Sequence, residues 1–323
     1  MRILFVCSGN AGYISPFIKE QAEAITALEN DVLIYPIVGK GILGYLGNLS
    51  NIKKKIQEFS PALIHAHYGL SGLVSCFQRT VPVVITFHGS DAYIFYVKLL
   101  SKLAALLSSF NIFVESKIGS RIKGHNKNAI VPCGTHLDVF YPISKSVARE
   151  MIGLIQEEKY ILFSSRFDNS VKNYQLAKKS VELLNKDTTI IELINKTREE
   201  VNLLLNACDL ALLTSISEGS PQFIKEAMAC NCPIVSTDVG DVRWVLGNTE
   251  GCYVVSEKSN EKRETISAEL IKVTSDKLQE ALKFAEKVGR TKGRERIIEL
   301  GLDSETVAKK IISIYKRVLR NKQ

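Results

Sequence analysis

The sequence has no paired-cysteine framework and no complete metal-binding motif. Its seven cysteines are odd in number and scattered, and most lie inside apolar runs, where a reduced thiol packs as a small hydrophobic group. This pattern is typical of a reducing compartment. Cys230 and Cys232 form a Cys-x-Cys pair, but no second Cys or His pair stands nearby to complete four ligands. We therefore predict a cytoplasmic protein without a structural metal.

Long uninterrupted apolar runs are also missing. The opening run Ile3–Cys7 is shorter than the core of a secretory signal and predicts a first buried strand instead. Residues 95–114 are about long enough to span a bilayer, but Lys98 and Lys102 interrupt them. The apolar residues of this stretch follow helical spacing at Leu99, Leu100, Leu103, Leu106, Leu107 and Phe110. We therefore predict a well-buried amphipathic helix rather than a membrane span.

The composition is that of an ordinary soluble globular protein, with 46% hydrophobic and 24% charged residues. The net charge of +8 is denser in residues 1–142, which hold 13 Lys and Arg against 8 Asp and Glu. Such a basic surface suits anionic lipid, a phosphorylated acceptor or nucleic acid, although a solvated helix face is the favoured interpretation of any single cluster. No basic motif interleaved with aromatics occurs, so no nucleic-acid partner is expected.

With 323 residues, the chain is long enough for two domains. In the first half, apolar runs that predict strands alternate with helical patterns. The predicted strands are Ile3–Cys7, Asp31–Pro36, Leu63–Ala66 and Val83–Thr86, and the helices are Ile18–Leu28 and Ile52–Phe59. Continuous apolar strands separated by helices indicate parallel strands covered on both faces. The first half is therefore predicted to be a doubly wound α/β domain.

A turn-rich link at 138–142 precedes a second α/β series. Its predicted strands are Tyr160–Ser164, Thr189–Ile194, Leu210–Thr214, Ile234–Ser236 and Tyr253–Val255, and its helices are Tyr174–Asn185, Arg198–Ala207 and Pro221–Cys230. A last helix is predicted from Ser304 to Leu319, with apolar residues at 307, 308, 311, 312, 315 and 318. Two such domains are expected to hold ligands in the cleft between them, at the carboxyl ends of the strands.

The most informative segment runs from Ser215 to Ala229. It follows a predicted strand, turns at Gly219-Ser220 and enters a helix with Pro221 in its first turn. The helix start offers unpaired backbone N–H groups to an oxygen-rich ligand. Glu218 and Glu226 can both face that ligand as acceptors for sugar or ribose hydroxyls. The alternative is that the two glutamates only cap the helix or lie on its solvated surface.

Glu218 and Glu226 match the E-x7-E signature of retaining GT-B glycosyltransferases, and residues 218–240 resemble family 4 members. Four further segments resemble the same family in the same order: Ile64–His67, Thr86–Asp91, Val131–Pro142 and Ser165–Asn173. The resemblance implies a GT-B fold, with two Rossmann-like domains at 1–142 and 143–303 and with the helix at 304–323 crossing back to the first.

The resemblance also implies residue roles. Arg166 and Lys172 would hold the donor diphosphate, Glu218 the donor sugar and Glu226 the nucleotide ribose, with Gly219, Ser220 and Pro221 at the helix start. His88 and Asp91 would lie on the acceptor side, although a lone His at a strand end also suits a structural role. His88, Arg166, Lys172 and Glu218 are the expected catalytic residues. His65 and His67 share one strand face and are expected to pack rather than to bind metal.

No cofactor and no metal are expected. The sequence has no Asp-x-Asp to chelate a divalent ion, and Arg166 and Lys172 can neutralise a developing diphosphate charge themselves. The first loop lacks the usual Gly-Gly pair of the family, but Gly9 and Gly12 can still bring backbone close to a donor phosphate. These two glycines do not have the spacing of a dinucleotide-binding fingerprint. Cys133 replaces the usual Asn of the link, and the segment after Asp187 is shorter than in the family.

The sequence therefore predicts a retaining, metal-independent hexosyltransferase. It would move a sugar from a nucleotide-diphosphate sugar to a glycan or lipid-linked acceptor in cell-surface polysaccharide synthesis. Its expected location is the cytoplasm, with peripheral attachment to the inner face of the plasma membrane through anionic lipid. The alternatives are a GT-B-fold sugar-nucleotide epimerase or hydrolase, for which no additional acid/base carboxylates are identified, and a non-catalytic sugar-nucleotide binding protein.

Overall fold

The computed structural model describes residues 1–123, 127–184, 188–256 and 266–320. Its contacts divide the chain into two compact units. Unit 1 consists of Met1–Gly134 together with the residues from Ser304 onward, and unit 2 consists of Thr135–Asp303. Each unit is an α/β layer structure built on one parallel sheet, so the predicted fold class is confirmed.

Unit 1 contains a six-stranded parallel sheet in the order β2-β1-β3-β4-β5-β6. Its strands are β1 (Arg2–Ser8), β2 (Asp31–Ile37), β3 (Leu63–His67), β4 (Val83–Phe87), β5 (Phe110–Phe113) and β6 (Asn128–Ile130). The central strands β3, β4 and β5 are buried along their whole length, which is why most of their residues are apolar. Their buried polar residues are His65, His67, Thr86 and Asn111. The sequence analysis identified β1 to β4 but not β5 and β6.

The sheet of unit 1 is covered by helices on both faces. They are α1 (Pro16–Thr26), α2 (Gly41–Leu46), α3 (Leu49–Phe59), α4 (Gly69–Cys76), α5 (Ser90–Tyr93), α6 (Phe95–Leu107), α7 (Ser116–Ile122) and, from the end of the chain, α15 (Ser304–Arg320). Helix α15 packs on α1 and buries all six apolar positions that the spacing picked out. Residues 321–323 of the predicted last helix lie outside the described residues.

The prediction of one buried helix over residues 95–114 is wrong in two respects. The helix ends at Leu107, and Phe110–Phe113 forms strand β5, because a run of bulky apolar residues also suits a fully buried parallel strand. The predicted apolar face is buried only in part: Leu99, Leu103 and Leu106 are exposed, whereas Phe110 is buried and Leu100 and Leu107 pack against the core. The fully buried residues of the helix are the small ones, Ser101, Ala104 and Ala105. No helix of the described residues is both long and apolar enough to cross a membrane.

Unit 2 contains a five-stranded parallel sheet in the order β11-β10-β9-β7-β8. Its strands are β7 (Lys159–Phe163), β8 (Thr188–Glu192), β9 (Leu210–Leu213), β10 (Ile234–Thr237) and β11 (Cys252–Val255). Its helices are α8 (Lys145–Ile152), α9 (Tyr174–Glu182), α10 (Arg198–Ala207), α11 (Gln222–Ala229), α12 (Val242–Leu246), α13 (Ala268–Lys287) and α14 (Gly293–Glu299). All five strands and the three helices that the sequence predicted in this half are present, although Asn185 of the predicted Tyr174–Asn185 helix lies outside the described residues.

The division between the units lies at Gly134, eight residues before the boundary expected at 142. Residues 135–142 belong to unit 2 because its own side chains hold their backbone. Arg294 donates to the carbonyl oxygens of Leu137 and Phe140 at 2.9 and 2.6 Å, and the Phe140 ring is fully buried in the unit 2 core. A turn-rich composition therefore marked a segment that is fixed by tertiary contacts.

Candidate functional site

Three loops of unit 2 meet at the carboxyl edge of the sheet, after the adjacent strands β7, β9 and β10. The Thr214 hydroxyl at the end of β9 donates to the carbonyl of Lys172, in the loop after β7, at 2.9 Å. The Thr237 hydroxyl at the end of β10 donates to the carbonyl of Ser215 at 2.7 Å. These bonds fix the three loops to one another, at the edge where open α/β sheets bind ligands.

Lys172 and Glu218 form an ion pair at the centre of this edge. The Lys172 ammonium lies 2.5 Å from Glu218 Oε1, and the Ser215 hydroxyl donates to the same oxygen at 2.7 Å. Both side chains are partly exposed, so a ligand can reach them. The structure thus brings together a cation and a carboxylate that are 46 residues apart in the chain.

Arg166 lies in the loop after β7 and pairs with Asp168. Its Nε and Nη2 atoms donate to the two carboxylate oxygens at 3.0 and 2.6 Å. Hydrogen bonding to Arg166 lowers the pKa of the Asp168 carboxyl, and the same bonds raise the pKa of the guanidinium. The Arg166 side chain is 58% exposed, so an incoming anion can compete with Asp168 for it.

Glu226 is more enclosed than the sequence suggested. Its side chain is 4% exposed, and Oε1 accepts a hydrogen bond from Arg198 Nη2 at 2.6 Å. Arg198 is the first residue of α10, which begins with a capping box of Thr197 and Glu200, and its guanidinium also lies over the ring of Phe140. The sequence analysis predicted this helix but missed the role of its first residue; an Arg directly after a capping Thr was the available signal.

The segment before α11 is held by a second polar group. Ser220 Oγ donates to Asp241 at 2.6 Å and accepts from the fully buried Lys225 ammonium at 3.0 Å. Pro221 directly precedes the helix and Gly219 is buried. The sequence analysis assigned no role to Lys225, although it lies inside the resembling segment 218–240, or to Asp241, which directly follows that segment.

Gly219 and Gly240 bring the loops after β9 and β10 into backbone contact. A Cβ atom built on Gly240 would lie 2.1 Å from the Gly219 carbonyl oxygen, and the φ angle of Gly240 is +55°. Both facts require glycine at 240. The close approach holds the turn at 219–220 against the loop that carries Asp241.

In unit 1, the two predicted acceptor-side residues lie together at the carboxyl ends of β3 and β4. Asp91 is buried, and its two carboxylate oxygens accept the backbone N–H groups of Gly69 and His88 at 2.7 and 2.8 Å. Burial raises the pKa of the Asp91 carboxyl to about 6, while the backbone hydrogen bonds oppose the rise. Asp91 therefore positions the backbone on both sides of this edge rather than offering a free carboxylate.

A row of histidines continues from His88 into the core of unit 1. His88 Nε2 lies 3.0 Å from His67 Nδ1, and His88 Nδ1 lies 3.8 Å from the thiol of Cys133. His65 bridges Thr86 at 2.7 Å and the hydroxyl of Tyr315 in α15 at 2.5 Å. Burial lowers the pKa of His65 to about 3 and that of His67 well below its usual value. Both rings are therefore neutral packing elements.

Gly9 and Gly12 lie in the loop after β1, in unit 1, whereas the other predicted donor residues lie in unit 2. The loop is tied to the next strand end, because the Asn10 side chain exchanges two hydrogen bonds of 2.8 Å with the backbone of Gly39. Residues 39–44 have the G-x-G-x-x-G spacing and follow β2, a match that the sequence analysis did not weigh. Helix α2, which this segment enters, has six residues.

Among the residues that the structure describes, no group of three His, Cys, Asp or Glu side chains is placed to hold a metal ion. Cys230 donates to the Asn202 side chain at 3.1 Å, and Cys232 is buried in the same apolar core. The Cys-x-Cys pair thus packs as hydrophobic residues. Whether the reaction needs a metal is a separate matter, and metal independence stays a prediction.

Comparison with known proteins matches each unit to a family of glycosyltransferases. The sequence model of the family "Glycosyltransferase Family 4" matches residues 13–155, and that of "Glycosyl transferases group 1" matches residues 172–291. Among curated proteins, Bacillus subtilis TuaC, a glycosyltransferase named for teichuronic acid biosynthesis, is 24% identical over 66% of this chain. That match spans 62% of the length of TuaC.

Solved structures share the whole architecture. Sucrose-phosphate synthase from Thermosynechococcus elongatus superposes with a TM-score of 0.81 at 16% identity, covering 99% of this chain and 100% of that one. HepE from Anabaena, solved in complex with UDP, superposes with a TM-score of 0.71 at 14% identity, covering 98% and 100%. At such identities the likeness concerns the fold, and the fold is GT-B. Taken with the two family matches, it shows that this chain belongs to the GT-B glycosyltransferases of the group 1 and family 4 kind, a family of transferase enzymes.

Proposed function

We propose that this protein transfers a hexose from a nucleotide-diphosphate sugar to a glycan or lipid-linked acceptor, with retention of configuration and without a metal ion. The observation that carries the proposal is the Lys172–Glu218 pair, held at the carboxyl edge of the unit 2 sheet. The UDP complex of the structurally similar HepE supports a nucleotide ligand for this fold.

The ion pairs of this edge suggest how the donor is taken up. In the structure, Lys172 is neutralised by Glu218 and Arg166 by Asp168. A diphosphate offers both cations a doubly charged partner, and the Arg166–Asp168 pair is exposed enough to be exchanged at little cost. Release of Lys172 frees Glu218 Oε1 to accept a hydroxyl of the donor sugar. The same two cations then stabilise the charge that develops on the leaving diphosphate.

Glu226 has a different environment and a different proposed partner. Arg198 and the short helix α11 fix its carboxylate in a nearly buried position. A fixed carboxylate suits the two hydroxyls of a ribose, which keep the same place through the reaction. We therefore assign Glu226 to the nucleotide ribose and Glu218 to the donor sugar.

The acceptor is proposed to meet unit 1 at His88, which stands at the strand end with Asp91 behind it. No protein nucleophile is assigned, since front-face transfer with retention needs none. The role in cell-surface polysaccharide synthesis, the cytoplasmic location and the attachment to anionic lipid at the inner face of the plasma membrane belong to the same proposal. Its support is the basic excess of residues 1–142 and the scattered spacing of the seven cysteines.

Transfer from candidate nucleotide sugars tests the donor site. Lys172→Ala and Arg166→Ala should each lower kcat/KM by about 30- to 1,000-fold, because each removes roughly 2–4 kcal/mol of charge stabilisation in the transition state. Lys178→Ala is the matched control, since Lys178 forms an exposed ion pair within helix α9. If both site variants turn over the native donor like the control, the diphosphate assignment is wrong.

The same assay decides the reaction class. The anomeric configuration of the product should equal that of the donor, and the rate should survive EDTA. Inversion, or loss of activity that magnesium or manganese restores, would refute the mechanism. Donor hydrolysis or epimerisation in the absence of any acceptor transfer would point to a different GT-B enzyme.

A further inference from the structure

Helix α6 exposes one side that consists of large apolar side chains. Phe95, Leu99, Leu103 and Leu106 recur at spacings of three and four residues and are all exposed, so they form one stripe along the helix. Tyr96 beside the stripe and Ile94 just before the helix are exposed as well. An exposed apolar stripe of about 17 Å, from Phe95 to Leu106 at 1.5 Å per residue, marks an interaction site rather than a solvated helix face.

The opposite side of α6 explains this orientation. It presents the small residues Ser101, Ala104 and Ala105, which are buried, and it packs tightly on α4. A Cβ atom on Gly69 of α4 would lie 2.7 Å from Ser101 Cβ, so the two helices approach too closely for a leucine between them. Packing within unit 1 thus uses Ser101, Ala104 and Ala105, with Leu100 and Leu107 at the margin of the core, and leaves Leu99, Leu103 and Leu106 exposed.

Within residues 88–123, the charged side chains outside the core are all positive. Residues 88–123 contain five cations, Lys98, Lys102, Lys117, Arg121 and Lys123, against two carboxylates, Asp91 and Glu115, which are both buried. Lys98 lies over the ring of Phe95 in the stripe, and Arg121 lies over the ring of Tyr93 just before the helix. The face therefore combines an apolar stripe with a rim of positively charged side chains.

We propose that α6 lies in the plane of an anionic lipid surface, with its leucines and Phe95 among the acyl chains and its cations at the headgroups. An apolar stripe bordered by lysines is the pattern of an interfacial helix, and each cation near an anionic leaflet adds to the binding. This inference rests on the proposed membrane attachment and identifies helix α6 as the part of the protein that contacts the lipid. It also places the lipid contact four residues after Asp91, beside the proposed acceptor edge.

Binding to vesicles, without donor or acceptor, tests the proposal. The wild-type protein should sediment with vesicles of phosphatidylcholine and phosphatidylglycerol more than with phosphatidylcholine alone. The double variant Leu99→Gln with Leu106→Gln should bind the mixed vesicles at least about tenfold more weakly, because two apolar side chains no longer enter the lipid. Leu43→Gln with Met151→Gln is the matched control, since both residues are comparably exposed outside α6, and it should bind like the wild type.

A second double variant measures the electrostatic contribution to vesicle binding. Lys98→Gln with Lys102→Gln should lower binding to the mixed vesicles by roughly fivefold per lysine, and raising the salt concentration should remove most of that difference. The same substitutions should leave binding to phosphatidylcholine alone unchanged.

Three results would overturn the proposal: no vesicle binding by the wild type, equal binding by the leucine variant, or a wild-type dimer that the leucine variant dissolves while vesicle binding stays the same. In the last case a second copy of the chain covers the face. Calorimetric binding of UDP to the same variants reports on the donor site in unit 2. The lipid proposal and the proposed donor chemistry can therefore fail independently.

Discussion

At the scale of single residues, two ion pairs of the donor edge differ in how much water surrounds them. Glu226 is nearly buried beside Arg198, whereas Arg166 and Asp168 are both mostly exposed. Glu226→Gln should lower the free energy of unfolding by about 1–3 kcal/mol, because it leaves a partly buried guanidinium without its anion. Asp168→Asn should change it by less than about 1 kcal/mol. Urea unfolding of the two variants checks this; equal effects would mean that the enclosure of Glu226 contributes nothing.

The same residues separate the two proposed carboxylate roles. Glu226→Ala should weaken binding of the bare nucleotide diphosphate as well as of the whole donor, because the ribose is part of both. Glu218→Ala should leave nucleotide diphosphate affinity nearly unchanged and cut transfer, since its proposed partner is only the sugar. Isothermal titration of both variants distinguishes the cases, and the reverse pattern would exchange the two assignments.

The buried histidine row makes a prediction about acid stability. The pKa of His65 is about 3 in the folded protein and about 6.5 in an unfolded chain, so the unfolded state binds more protons between these values. The contribution of the neutral His65 ring to the free energy of unfolding is fully present above about pH 6.5. It decreases as the pH is lowered, by about 2 kcal/mol at pH 5. Asp91, with its raised pKa of about 6, has the opposite sign, because its stability contribution falls as the pH rises from about 4 to 6.

A variant isolates the histidine effect from that of Asp91. The difference in free energy of unfolding between the wild type and His65→Asn should shrink as the pH is lowered from 7 to 5, since only the wild type carries the His65 proton uptake. Denaturant unfolding at each pH measures it. A difference that is constant across this range would contradict the neutral assignment of His65.

At the scale of elements, the contact between the loops after β9 and β10 depends on Gly240. Gly240→Ala should destabilise the protein by about 1–3 kcal/mol and lower donor transfer, because the new Cβ meets the Gly219 carbonyl and displaces the turn before α11. Gly153→Ala is the control: Gly153 also has a positive φ, of +73°, but nothing lies within 4 Å of its Cβ position. Gly153→Ala should lower the free energy of unfolding only by the cost of placing an alanine at a positive φ, and it should leave sugar transfer unchanged.

Helix α6 shows what periodicity can and cannot predict about an element. The 3.6-residue spacing correctly indicated a helix with an apolar stripe, yet Leu99, Leu103 and Leu106 of that stripe face outward while Leu100 and Leu107 pack against the core. Spacing reveals that one side is apolar, but the partner of that side is decided by the space available beside α4, which admits only Ser101, Ala104 and Ala105. The same ambiguity concealed β5, whose four residues continue the apolar run.

At the scale of the whole molecule, the two units are predicted to unfold separately. The donor residues Arg166, Lys172, Glu218 and Glu226 all lie in unit 2, so UDP at about 100 times its Kd should add about 2.7 kcal/mol to that unit. In calorimetry, one of two transitions should move up by roughly 5–10 °C while the other stays. Lys172→Ala should reduce the shift. Equal shifts of both transitions would show that the donor binds unit 1 as strongly.

The sequence by itself determined the layer architecture and the identity of the main charged residues. Continuous apolar runs such as those of β3 and β4 can be stable only between two layers of helices, and the Glu218–Glu226 segment after β9 had to end at the carboxyl edge of a parallel sheet. These features are local patterns of chemistry along the chain, which is why they could be predicted without coordinates.

The tertiary structure alone decided which groups meet. It paired Lys172 with Glu218 across 46 residues, gave Glu226 the partner Arg198 and enclosed Lys225 with Ser220 and Asp241. It also turned three leucines of α6 outward, at positions 99, 103 and 106. Each of these outcomes depends on loop closure and on the volume left between packed elements. The spacing of residues along the chain does not predict either quantity, because both arise only when distant segments pack against each other.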